Sequence, residues 1–270
     1  PSQKPRYIPI FSTQNELRQN SSENLVLNGY AEYAITRNLK FKTTGGYTRS
    51  ITRGEVFNNS QSRGGNPSTN NRVNGGMTFY NNSSWLNENT LTWNRRFNAD
   101  HNLTLLGGFT MQETRSSAFG AYAKLLPSEG LGLSGLDEGT PLSITSTSSV
   151  MSMASFLARA NYTLFSKYLF TASFRADGSS RFIGSNTWGY FPSAAFAWRL
   201  GSEKWMKDIR FLSDAKLRAS WGVTGNNAVG NFAAYAGYIT PLDAGYSWGN
   251  QLNNGSYPSS MGNPNLKWEP

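Results

Sequence analysis

Few side chains in this 270-residue sequence could carry out bond-making chemistry. There is one histidine, His101, and no cysteine. A zinc site needs several nitrogen or sulfur ligands, so none is expected. Without cysteine, disulfides and thiolate chemistry are ruled out. A Ser-His-Asp set could form only around His101. Neither a G-x-S-x-G elbow nor a G-x-x-x-x-G-K-[ST] phosphate loop occurs. His101 adjoins a turn and reads as a solvated residue. Asp137 and Glu138 adjoin in a Gly-rich stretch and read the same way. Asp177-Gly178-Ser179-Ser180 offers oxygens of the kind calcium takes, but the EF-hand spacing is missing, and a strand-ending turn accounts for it better. The sequence points to no enzyme and to no cofactor.

Two residue sets suit recognition instead. Tyr246, Trp248 and Tyr257 lie among Asn250, Gln251, Asn253 and Asn254. Rings that stack beside amides that hydrogen-bond would fit a sugar, a peptide backbone or a protein partner. Packing of the loop on itself fits equally well. The second set is Lys40, Lys42, Arg159, Arg175, Lys216 and Arg218, each at a polar position of an alternating segment. They could guide an anionic solute, although a solvated, mutually paired wall explains them more simply. The net charge is +9. The basic residues are scattered, with no Lys/Arg cluster that would grip phosphates, so no nucleic-acid partner is expected.

These residues must be positioned by strands. At Trp188–Leu200, Pro192, Ala194, Phe196 and Trp198 share one face and Ser193, Ala195, Ala197 and Arg199 the other. At Ala215–Thr224, Leu217, Ala219, Trp221 and Val223 oppose Lys216, Arg218, Ser220 and Gly222. Period-two alternation predicts strands with one apolar and one polar side. The same pattern predicts strands at Leu25–Thr36, Leu39–Ser50, Ser84–Phe97, Leu103–Gln112, Ser149–Leu164 and Tyr168–Ala176. Pro1–Asn24 reads as loop, and Leu266–Glu269 as the start of a ninth strand. Glu203–Leu212 is long enough for about two helical turns. No run of 18 apolar residues predicts a transmembrane helix, and no signal peptide is present.

The connections sort by parity. Arg37-Asn38, Asn98–His101, Phe165–Lys167 and Gly201–Ser213 fall on one side. The long loops Arg53–Asn82, Ser117–Thr147, Asp177–Thr187 and Gly225–Gly262 fall on the other. Short turns at one end and long loops at the other are the outer-membrane barrel pattern. Charged residues are 15% and aromatics 14%, which suits a wall between lipid and water. Trp85, Trp93, Trp198 and Trp221 would then sit in interfacial girdles. Eight strands could close a small barrel, but a ninth begins and the polar faces lack bulky residues to fill a narrow lumen. A passive porin and a soluble glycan-binding β-sandwich remain as alternatives, the sandwich with its apolar faces turned inward.

RADGSSRF, NTWGYFPS, AFAWRLGSEKW, LSDAKLRASWGVTGN and the terminal NPNLKWE, in this order and spacing, resemble the barrel of SusC/RagA-type TonB-dependent outer-membrane transporters. They cover Arg175 to Glu269. The resemblance implies an all-β, antiparallel up-and-down transmembrane barrel of roughly 22 strands with a plugged lumen. Residues 1–270 would be one portion of it, with the plug domain, the TonB-contacting segment and the other strands lying elsewhere. It further implies TonB-driven import of oligosaccharides or peptides across the outer membrane, with a SusD-like surface lipoprotein as lid over the loops. The basic set above would then face the lumen, and the aromatic set would face solute or lid.

Overall fold

A computed structural model describes residues 9–206, 214–241 and 245–269. Eight strands follow a short helix, α1 (Pro9–Asn15). They are β1 (Glu16–Ala34), β2 (Leu39–Asn58), β3 (Asn74–Arg96), β4 (His101–Lys124), β5 (Thr140–Leu164), β6 (Tyr168–Ser179), β7 (Trp188–Arg199) and β8 (Lys216–Gly222). They form one sheet in the order β1-β2-β3-β4-β5-β6-β7-β8. Each strand pairs with its sequence neighbour, and β1 is not hydrogen-bonded to β8. A single meander with a bare apolar face is not the two packed sheets of a sandwich. No described helix is long and apolar enough to cross a membrane, a criterion that does not bear on strands.

Every alternating segment became a strand, but the long-loop ends were read too short. β2 and β3 run to Asn58 and from Asn74, inside the predicted loop Arg53–Asn82. β4 and β5 run to Lys124 and from Thr140, inside Ser117–Thr147. β1 begins at Glu16, so the predicted loop Pro1–Asn24 is helix and strand from Pro9 onward, its first eight residues lying outside the described ones. These extensions are rich in Asn, Ser, Thr and Gly. Such stretches show no regular apolar period, and their residue types resemble those of turns.

By contacts the chain divides into two units. The first gathers Pro1–Leu27, Gly46–Trp85 and Thr114–Val150. Its small core is Val73, Ala123 and Leu126, with Phe57 and Leu136 packed against them. Buried Asn58 accepts from Arg18 Nη2 at 2.8 Å and donates to Asn74 Oδ1 at 2.7 Å. The 59–73 loop is tied by Ser62, whose Oγ donates to the Asn59 carbonyl and accepts from the Gly65 amide, both at 2.8 Å. The Glu129 carboxylate accepts from the Ser60 amide at 3.2 Å and links the two long loops of this unit.

The second unit gathers Asn28–Gly45, Leu86–Glu113 and Met151–Pro270. Its register sorts the faces. Phe170 opposes Phe196, and Ala172 lies between Ala160 and Ala194. Aromatic pairs run along this face: Phe170–Phe196 at 5.1 Å, Phe109–Phe156 at 4.8 Å, and Phe174–Tyr190 stacked at 6.0 Å. On the other face, Ser173 and Ser193 share a hydrogen bond of 2.6 Å and Thr171 donates to Asn161 at 2.9 Å. Large apolar side chains on the first face stay exposed, among them Phe156, Phe170, Phe174, Leu217 and Trp221. Such a face is stable against hydrocarbon and costly against water.

The turns follow the backbone rules. Thr36 and Leu39 exchange backbone hydrogen bonds across Arg37-Asn38. At 165–167, Phe165 and Ser166 both take left-handed φ, 52° and 56°, the conformation of a tight hairpin turn. The 200–215 connection holds 3-10 turns at Leu200–Ser202 and Lys204–Met206, and residues 207–213, which include most of the stretch read as helical turns, lie outside the described ones.

Candidate functional site

Chemistry-bearing residues fall in three places, all in the second unit. The first is the polar face. Even-numbered residues of β2 share a face with even-numbered β1 residues, because Lys40 pairs with Glu32 at 2.9 Å and the Lys42 ammonium lies 4.8 Å from the Tyr30 ring. On β5 to β8 the register puts Arg159 opposite Ser173, Arg175 opposite Leu157, Lys216 opposite Arg199 and Arg218 opposite Ala197. All of these are polar-face positions. Arg175 is fixed: its Nε donates to both oxygens of Asp177, at 2.7 and 2.9 Å, and Nη2 donates to Ser155 Oγ at 3.2 Å. The basic set is therefore only partly self-paired.

Asp177, Gly178 and Ser179 belong to β6, where Asp177 pairs with Ser155 and Gly189. The expected turn begins only after Ser179. The Asp177 carboxylate is engaged by the Arg175 guanidinium. His101 also differs from expectation. It opens β4, with Nδ1 2.5 Å from the Tyr162 hydroxyl and its ring beside Phe165. His101 is thus half-buried rather than fully solvated.

The second place is the end of the sheet with short turns. Glu203 gathers three donors. Lys167 Nζ lies 2.6 Å from Oε2, and Tyr168 OH and Trp198 Nε1 each lie 3.1 Å from Oε1. Tyr168 and Trp198 stack at 6.1 Å. The Lys167 ammonium first, then the Trp198 indole N–H, holds the Glu203 carboxyl below the usual carboxylate range. Trp198 stands at the short-turn end of β7. Trp221 opposes Ala194 at the middle of β7 and is 64% exposed, next to the end of the seven-residue β8.

The third place is the long-loop rim, where the quoted motifs converge. Trp268 packs on Phe182 and Phe191 at 5.4 Å each, and its Nε1 donates to the Thr187 carbonyl at 3.1 Å. Arg181 donates to the Asn227 carbonyl at 2.9 Å and to Asn231 at 3.0 Å. Asn226 and Glu269 form an isolated antiparallel bridge, so Leu266–Glu269 supplies one bridge rather than a ninth strand. Gly189 and Gly225 let these rings close. A Cβ on Gly225 would stand 2.1 Å from Phe191 Cζ. Sequence reading found these motifs but not their meeting. The spaced Gly and aromatic residues are the signal that could have shown it.

Above the rim, the 225–262 loop is built rather than formless. β9 (Gly237–Ile239) pairs with β12 (Tyr257–Ser260), and β10 (Gly245–Trp248) with β11 (Gln251–Asn254). Gly249 and Asn250 turn with φ of 60° and 61°. Tyr246 opposes Asn253 and Trp248 opposes Gln251. Tyr246 and Tyr257 are 57% and 52% exposed, so neither ring is spent on internal packing. The side chain of Trp248 lies outside the described ones.

A meander with one lipid-suited face, one polar face, short turns at one end and built loops at the other defines an outer-membrane β-barrel wall. Residues 2–269 match the family model "TonB dependent receptor-like, beta-barrel", and the chain belongs to that family. The chain is 34% identical over 264 residues to TonB-dependent receptor P3 of Formosa agariphila, covering 97% of this chain and 26% of that protein. It is 44% identical over 119 residues to TonB-dependent receptor SusC of Bacteroides thetaiotaomicron, 43% of this chain and 12% of that one. The solved RagAB peptide transporter superposes with a TM-score of 0.84 at 26% identity, covering 96% of this chain and 28% of that chain. The chain thus spans about a quarter of the length of P3. The barrels of this family are outer-membrane proteins, and the family is one of transporters and receptors, with no known enzymatic role.

Proposed function

We propose that residues 1–270 form part of the barrel domain of a SusC-like nutrient importer in the outer membrane. The plug and the remaining strands would belong to a longer protein, a reading supported by relatives about four times the length of this chain. The observation that carries the reading is the division of one continuous sheet into an exposed aromatic face and a polar face bearing Lys and Arg. Lipid would meet the first and solute the second. TonB would drive import through parts outside this sequence. A SusD-like surface lipoprotein would cover the loops, where Tyr246, Trp248, Tyr257, Asn250 and Gln251 make the contacts. The solute would be an oligosaccharide or a peptide. This portion has a wall's role rather than an enzyme's.

The test is uptake of labelled oligosaccharides and peptides by cells carrying the full-length gene, with and without a working TonB complex. Uptake that disappears with TonB supports the reading. Uptake that persists unchanged would make the protein a passive porin.

A further inference from the structure

We propose that the lipid-facing side of the sheet holds, at its short-turn end, one anionic phospholipid of the inner leaflet. Arg95 and His101 take its phosphate, and an apolar groove that begins at Tyr162 takes an acyl chain. The proposal rests on the membrane placement of the barrel family and is independent of the solute.

Alternation puts Arg95 on the same face of β3 as Leu91 and Trp93, and His101 on the same face of β4 as Leu103, Leu105 and Phe109. Phe109 packs on Phe156, which joins that face to the aromatic face of β5. On the opposite face, Asn94 donates to Thr104 at 2.6 Å, and the Phe97 amide donates to the His101 carbonyl at 2.9 Å. Phe97 and His101 therefore face each other beside the turn. The Arg95 guanidinium lies 5.3 Å from the Phe97 ring, so its side chain is drawn toward the turn and away from the middle of the sheet.

A plug inside the barrel reaches only the polar face, so it offers Arg95 no partner. An arginine on the lipid face is costly at the bilayer midplane and cheap near the headgroups, where phosphates are the anions at hand. The nearby carboxylates are engaged elsewhere. Asp100 lines a concavity on the polar face with Arg96, Asn102 and Thr163, and Glu203 accepts from Lys167 at 2.6 Å. No carboxylate pairs with Arg95 among the described residues, so nothing beside it would hold the ammonium of a zwitterionic headgroup. The charge therefore selects an anionic lipid. His101 supplies a second donor. Its Nδ1 lies 2.5 Å from the Tyr162 hydroxyl. With that hydroxyl donating, the ring keeps its proton on Nε2, which has no hydrogen-bond partner among the described residues. Two N–H donors, one of them charged, suit a phosphate.

Tyr162 also opens the groove. This holds about 580 Å³ and is lined by Tyr162, Phe170, Ala172, Ala194, Phe196 and Trp221, among others. Ala160, Ala172 and Ala194 face one another across three strands and form its floor, Phe170 and Phe196 stand on its turn side, and Trp221 opposes Ala194 at its far end. A free phosphate ion has no use for such a groove, and a purely apolar partner has no use for Arg95. A phospholipid uses both.

The experiment places full-length protein in phosphatidylcholine vesicles. A few per cent of the lipid carries a photoactivatable acyl chain, on phosphatidylglycerol in one arm and on phosphatidylcholine in the other. Labelled residues are mapped by mass spectrometry. Labelling of the groove should be about fivefold stronger with phosphatidylglycerol, as one basic residue near a headgroup gives. Labelling around Phe174 and Tyr190, nearer the long-loop end, should show no such preference. Arg95→Gln should bring the groove ratio close to one without changing the phosphatidylcholine signal, and Arg95→Lys should retain part of it. His101→Phe, which keeps a ring and removes the N–H, should lower the ratio about twofold. A wild-type ratio near one, or a ratio that survives Arg95→Gln, overturns the proposal. Loss of the preference in millimolar inorganic phosphate at constant ionic strength would make the site one for free anions and overturn the lipid assignment. Insertion, read as a heat-modifiable band, separates the readings. Inserted protein without headgroup preference sinks this proposal alone, whereas failure to insert sinks the membrane reading itself.

Discussion

The Trp198 indole donates to Glu203 Oε1 at 3.1 Å, across the connection that follows β7. One carboxylate thereby fixes Trp198, Tyr168 and the Lys167 of the preceding turn. In WRLGSEKW the five-residue spacing is what brings ring and carboxylate together.

This arrangement predicts a pH dependence. Glu203 has a folded pKa below its ordinary value, so its contribution to stability is fully present above the ordinary carboxylate pKa of about 4.5. It is lost as pH falls from there through the folded value. The heat-modifiable band of the full-length protein should therefore melt at progressively lower temperature below about pH 4.5. In Glu203→Gln this part of the loss should vanish. An identical acid profile in the variant would show that other groups govern acid sensitivity.

Ala194 and Ala195 are adjacent, small and on opposite faces, opposed by Trp221 and Ser220 of β8. Arg at 194 would meet hydrocarbon near the midplane and should destabilise by about 2–4 kcal/mol. Arg at 195 would meet the polar face and should cost under about 1 kcal/mol. Denaturant titration in lipid vesicles measures both. Equal costs would refute the assignment of faces.

The alternation that fixes these faces was legible in the sequence because each membrane-facing segment has oil on one side and water on the other. Where no apolar period runs along the strand, as in Gly120–Lys124 or Thr140–Thr147, these stretches read as loop. Gly249-Asn250 carried a hairpin signal that the surrounding Asn and Ser residues hid. The Arg175–Asp177 pair and the Glu203 knot were beyond reach, since they depend on which rotamers meet across strands.

Gly225→Ala should force the Phe191 ring away from Trp268. Overpacking of this kind costs about 1–3 kcal/mol. Limited proteolysis should then cut the 180–187 or 225–262 loops faster, with membrane insertion unchanged. Unaltered cleavage would mean the rim does not depend on that contact.

Replacing Tyr246, Trp248 and Tyr257 together with Ala should weaken solute uptake or lid association by at least about tenfold, as loss of aromatic anchors does. Insertion and heat-modifiability should be unaffected, because both tyrosines are exposed. Unchanged uptake and unchanged lid binding would show that the loop only covers the mouth of the barrel.

The extension of β4 and β5 beyond the bilayer span has a mechanical meaning. About 9–11 residues cross the hydrocarbon, whereas these strands have 24 and 25. The surplus forms a stiff post that carries the 125–139 loop at its tip. The connecting length is roughly half what a bare 117–147 loop would have, and each halving saves about 0.6 kcal/mol of closure entropy. A partner that docks on the tip meets a fixed address and loses little of its binding free energy to ordering chain. Amide hydrogens of Gly120–Lys124, a stretch in which Gly120 and Ala123 are buried, should accordingly exchange as slowly as those within the bilayer.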